Sequence, residues 1–153
     1  MNRRNFLSVA GALTASTLLT GTAFAATAKI DTSRKDGVAL DGYDPVAYFT
    51  EKMSKPGKAE FKASWNGVDW YFASAENMKA FTAAPEKFAP QYGGFCAYAA
   101  AKGAIAPGDP NAWTVVDGKL YVNYSPAVKV QWSKDIPGYI IKADKNWPSL
   151  SQK

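Results

Sequence analysis

The chain has 153 residues, enough for one ordinary domain, and its 18 Lys and Arg against 13 Asp and Glu leave a net charge of +5. That excess is too small and too evenly spread to point to nucleic acid or a membrane surface. With no histidine and a single cysteine, Cys96, the sequence excludes Ser–His and Cys–His nucleophile pairs, proximal-His haem, most zinc sites and any intrachain disulfide.

The first segment reads as an address. Arg3 and Arg4 stand together ahead of Phe6 and Leu7, and a mildly apolar run from Val9 to Thr22 leads to Ala23-Phe24-Ala25, a small-residue peptidase site. This resembles a twin-arginine export leader. It predicts a signal peptide over residues 1–25 cleaved after Ala25, a periplasmic location and no membrane span once the leader is gone, since the apolar run is too short to cross a bilayer. Residues 26–38 have mixed charge and no periodicity, which predicts a flexible N-terminal segment before a folded domain at 39–148.

Ala59 to Trp65 alternates apolar and polar, Asn66-Gly67 supplies a two-residue type I′ turn, and Val68 to Phe72 alternates back. The expected register sets Trp65 opposite Val68, Ala63 opposite Trp70 and Phe61 opposite Phe72. Ser74 is an N-cap, with Asn77 at the third position and Met78 and Phe81 on the buried stripe of a helix. Pro85 stops that helix, and Pro85 to Phe88 begins another short turn. Gly93-Gly94 breaks the chain before an Ala-rich helix from about Phe95 to Lys102. The loop from Ala106 to Pro110 leads to a second hairpin, in which Asp117-Gly118 turns Trp113–Val116 back onto Lys119–Val122. Ser125-Pro126 opens a helix bearing Val128 and Trp132. After Ile136-Pro137-Gly138 a last helix carries Ile140, Ala143, Asp144 and Trp147, and Pro148 is expected to end it. The expectation is a small single α+β domain with two antiparallel β-hairpins packed against about four short helices.

Two segments carry a resemblance. Asp44-Pro45-Val46 lies within Asp41 to Phe49, and Gly67 to Ser74 is followed by Phe81, Pro85 and Phe88. Together they resemble the YHS domain family, related to a group of metal-handling modules, over roughly residues 37–90. With the leader and the extension from Gly93 to Trp147, the whole chain resembles exported bacterial YHS-containing proteins. The resemblance implies metal binding through a Cys after Asp-Pro-Val, a Cys or His before the Ser, and a further Cys one helical turn on. Those places hold Ala47, Ala73 and Asn77, which offer no soft thiolate or imidazole.

Cys96 is then the one soft donor left for a transition metal such as copper or zinc. It is more readily read as a small buried hydrophobe. Asp41, Tyr43, Asp44 and Tyr48 form a polar-aromatic cluster, readable as ligand contacts or as turn-forming caps. Tyr92, Tyr98, Tyr121 and Tyr124 have polar tips able to line a pocket. No catalytic constellation is recognisable. The leading expectation is therefore a binding or accessory protein that holds a small ligand, a metal ion or a periplasmic partner where the Asp41–Tyr48 loop meets the helix bearing Cys96. The alternatives are a thiol redox enzyme or sensor using Cys96, and a purely structural module.

Overall fold

The computed structural model describes residues 29–153, so the leader lies outside the described residues. Strand β1 (Lys58–Trp65) pairs antiparallel with β2 (Val68–Phe72), and β3 (Asp109–Val116) with β4 (Lys119–Asn123). Each hairpin is its own two-stranded sheet. Around them lie α1 (Ala47–Thr50), α2 (Ala75–Ala83), α3 (Pro85–Phe88), α4 (Ala97–Ala101), α5 (Pro126–Trp132) and α6 (Ile136–Leu150), with short 3-10 turns between them. The chain is a small α+β domain, as its patterning predicts.

Both hairpin turns take the backbone their sequences demand. Asn66 and Gly67 have φ of 51° and 76°, and Asp117 and Gly118 of 50° and 72°. These left-handed pairs match the right-handed twist of the flanking strands. Trp65 faces Val68 and Ala63 faces Trp70, as expected, but Phe61 does not face Phe72. The register shifts between Lys58 and Lys62, and Phe72 pairs with Lys58 instead. Gly57 explains the shift. A Cβ there would stand 2.5 Å from the Tyr71 carbonyl carbon, so only glycine lets the incoming chain press against Tyr71 and Phe72. The residues between then arch outward as a bulge.

Two apolar cores result. Trp70, Phe72, Phe81, Phe88, Val46 and Tyr48 pack with Leu120 and Val122 in the first. Ala97, Ala100, Trp132, Ala143 and Leu150 pack with Tyr92 and Tyr121 in the second. Strand β4 is the shared wall: Leu120 and Val122 face one core, and Tyr121 faces the other. Alternation had shown only the first of these faces. Helix α6 also runs past Pro148 to Leu150 rather than ending there. Leu150 is 4% exposed, and its burial in the second core holds the last turn helical despite the missing proline N–H.

The helix starts are capped where the sequence indicates. The Ser74 hydroxyl accepts from Asn77 N at 3.1 Å and that of Ser125 from Val128 N at 3.2 Å. At α6, which starts at Ile136, the cap is one the sequence pattern does not mark: the Asp135 carboxyl accepts from Gly138 N at 3.1 Å. Residues 29–38 lie along the domain. Asp31 N donates to Gly93 O at 2.8 Å, and the buried Asp31 carboxyl accepts from Gly108 N at 2.8 Å and from the Ser33 N–H and hydroxyl.

Candidate functional site

Asp44 is wholly buried, and three protein N–H donors are aimed at its carboxyl group. Oδ1 accepts from Val46 N at 2.8 Å. Oδ2 accepts from Ala73 N at 2.9 Å and from the Asn77 side-chain Nδ2 at 2.7 Å. The local sequence produces this: Pro45 keeps Asp44 out of helical backbone, so its side chain turns forward to cap Val46 N at the start of α1. Oδ2 is thereby left to tie the end of β2 to the first turn of α2.

Ala73 and Asn77 occupy two of the three places where metal-binding versions of the pattern put soft donors. The third, Ala47, is fully buried and carries only a methyl group. Where those versions gather donors for a cation, this chain sets two N–H groups on one carboxyl oxygen. The residues present do not fit copper or zinc at this place, because no sulfur or imidazole is there. Among the described residues no group of three His, Cys, Asp or Glu side chains converges to hold a metal ion.

Tyr48 reaches in the other direction. It is fully buried, its hydroxyl donates to Pro110 O at 2.8 Å, and its ring lies 5.2 Å from that of Trp113. Burial first, and then the negative charges of Tyr43, Asp109 and Asp44, push its phenol well above the usual tyrosine range. Tyr43 is half-buried, and its backbone bridges to Pro56. Asp41 is exposed, with a left-handed φ of 53°.

Cys96 is 1% exposed and caps α4, its sulfur accepting from Ala99 N at 3.4 Å and lying 3.7 Å from Asn123 Oδ1. Asn123 Oδ1 also accepts from Tyr98 N at 3.0 Å. The hydrogen bonds thus join Cys96 to β4 and the second core, and join Asp44 and Tyr48 to the first hairpin, α2 and the start of β3. None of them links the thiol to the Asp41–Tyr48 loop.

A cleft of about 390 Å³ lies elsewhere. Trp65, Glu86 and Tyr92 form one side and Asp144, Trp147 and Pro148 of α6 the other. Its walls are firmly packed: the Trp65 ring lies 5.7 Å from Trp70 and 5.9 Å from Phe81, and the Trp147 ring 5.7 Å from Tyr92. The Tyr92 hydroxyl donates to Asp144 Oδ1 at 2.8 Å. Burial, followed by that hydrogen bond and the Asp144 charge, raises the Tyr92 phenol above its ordinary value. The sequence pattern places Trp65 in the first hairpin opposite Val68 and names Tyr92 for a pocket. It misses Glu86, Asp144 and Trp147: Glu86 lies 58 positions from Asp144 and 61 from Trp147, and they meet only through packing.

Replacing Asp44 by alanine leaves Val46 N, Ala73 N and the Asn77 amide without their acceptor. Chemical denaturation of Asp44→Ala should show a loss of roughly 2–4 kcal/mol. The Asp44→Ala/Asn77→Ala double variant should lose less than the sum of the two single changes, because one shared bond is counted twice. A loss from Asp44→Ala below about 1 kcal/mol would contradict the role described.

Alkali provides a second test. Tyr48 is raised in the folded protein above the unfolded value of about 10, so above that pH the unfolded chain binds fewer protons and stability falls as pH rises. The contribution is complete below about pH 10 and is lost beyond it. Tyr48→Phe should therefore lose about 1 kcal/mol near neutrality, from the bond to Pro110, and show a shallower decline in alkali.

The YHS domain pattern matches residues 46–92. The match begins at Val46, just after Asp44 and Pro45, takes in the first hairpin, α2 and α3, and ends at Tyr92 on the cleft. No curated protein and no solved structure matches the chain. The chain carries a YHS domain at residues 46–92, and the second hairpin, α4, α5 and α6 lie outside it.

Proposed function

We propose that this protein is an exported YHS-type binding or accessory protein that takes a small ligand in the cleft between its YHS domain and α6. One observation carries the reading. The cleft is walled by Trp65, Glu86 and Tyr92 from the matched stretch and by Asp144 and Trp147 from outside it, so the C-terminal elements supply one of its walls. Its volume of about 390 Å³ suits a small molecule. It combines aromatic walls with a few polar groups, which is the composition of a ligand site.

The metal role that the family resemblance implies has no support at Asp44, whose acceptors are occupied by N–H groups. Cys96 supplies one thiol, already in contact with Ala99 N and Asn123. A redox role for that thiol needs access, and 1% exposure opposes it. The leader Arg3-Arg4 to Ala25 supports export to the periplasm.

The indole N–H resonances of Trp65 and Trp147 test the cleft directly. Titration with a panel of small amines, carboxylic acids and neutral aromatics should move both signals with at least one member. Failure of every member to move either signal would sink the reading. Copper or zinc titration should give no stoichiometric site that disappears in Cys96→Ala, and such a site would restore the metal role. For export, the change of Arg3 and Arg4 to lysine should leave the uncleaved precursor in the cytoplasm. Processing that continues undiminished would argue against twin-arginine targeting.

A further inference from the structure

We propose that the ligand of this cleft is a small organic cation, an alkylammonium or quaternary ammonium compound. The inference rests on the cleft being the ligand site and adds the chemistry of its occupant. Two indoles, Trp65 and Trp147, and the phenol of Tyr92 face a space whose only charged lining groups among the described residues are the carboxylates of Glu86 and Asp144. In a chain with more Lys and Arg than Asp and Glu, a lining with two acids and no base is a local reversal of charge.

The basic side chains next to these acids in sequence are directed elsewhere. Lys87 Nζ sits 5.3 Å from the Phe88 ring, Lys142 Nζ lies 5.7 Å from that of Tyr139, and Lys145 lines a different cavity beside Gly103. Among the described residues the ion pairs are Lys55 with Glu51 and Lys62 with Asp69. Glu86 and Asp144 belong to neither.

The geometry is also set before any ligand arrives. The Tyr92 hydroxyl holds Asp144 through Oδ1 at 2.8 Å, leaving Oδ2 outside that bond. Tyr92 itself has a left-handed φ of 55°, an unfavourable backbone for a bulky residue. Beside it, Gly93 admits the close approach of the Lys29 carbonyl, which any Cβ would block. Ring faces attract a cation through their quadrupole, and the carboxylates add a Coulomb term that screening by water and salt weakens but does not reverse. An anion meets repulsion from both acids, and a neutral molecule gains only apolar contact.

Choline and its uncharged carbon isostere 3,3-dimethylbutan-1-ol have nearly the same shape and differ in charge, so the pair isolates the cation. Titration of the intact protein, followed by the Trp65 and Trp147 indole N–H signals, should give saturable binding of choline at least tenfold tighter than of the alcohol. Glu86→Gln and Asp144→Asn should each weaken choline several-fold to about tenfold while leaving the alcohol unchanged. Glu86 is exposed on α3, so its variant keeps the test sound should Asp144→Asn unfold. Equal binding of the two compounds at these indoles would overturn the cation and leave the cleft reading standing. Failure of both compounds to move these signals overturns the cation proposal. The cleft reading itself falls only if the wider panel of acids and neutral aromatics fails as well.

Discussion

A buried carboxyl group must find donors, and in this protein the way Asp44 finds them organises the YHS domain. Its two oxygens collect the first N–H of the α1 turn, the N–H that follows β2 and the side-chain amide of Asn77 on α2. The turn that starts α1 is thereby tied to the end of β2 and the start of α2, 29 and 33 positions further on. An unpaired acid at that depth costs several kcal/mol, so few arrangements of these segments are tolerable. The resemblance over residues 37–90 implies soft metal donors at three positions close to these in sequence. With Ala47, Ala73 and Asn77 in those places, hydrogen bonds do the cross-linking that a metal–ligand set would do.

The second dependence is on β4. A two-stranded hairpin with one apolar face is marginal by itself, and β4 escapes this by being covered on both sides. Leu120 and Val122 close the first core, and Tyr121 stacks 5.5 Å from Trp132 and 5.9 Å from Tyr92 in the second. The C-terminal helices are thus joined to the YHS domain through a packed strand rather than a linker. Gly108 permits the close approach nearby, since a Cβ there would stand 2.0 Å from Gly94 O. Because α6 is held in this way, Asp144 and Trp147 sit opposite Trp65 and Glu86 as a fixed wall. The cleft is a consequence of docking one half of the chain on the other.

Local rules account for the hairpin turns, the serine caps and the resemblance over residues 37–90. Each is written in neighbouring residues: Asn66-Gly67, Asp117-Gly118, Ser74 with Asn77, Ser125 with Pro126. Where a distant contact overrides a local preference, the outcome differs. The close approach of Gly57 to Tyr71 shifts the β1 register so that Phe61 loses Phe72. The burial of Leu150 carries α6 past Pro148. The polar cluster from Asp41 to Tyr48 was legible as turn chemistry or as ligand contact. Burial and satisfied hydrogen bonds describe Asp44 and Tyr48 in the first of those terms.

The amino-acid sequence by itself determined the α+β class, both hairpins with their turn types, the capped helix starts, the loss of soft donors at Ala47, Ala73 and Asn77, and the exclusion of histidine chemistry. These follow from residue identity and from spacings of a few positions, over which backbone geometry is predictable. Tertiary structure alone decided that Cys96 is enclosed, that β4 serves two cores, and that Trp65, Glu86, Tyr92, Asp144 and Trp147 share one cleft. Those facts depend on which distant surfaces exclude water from each other, and no short-range pattern encodes that.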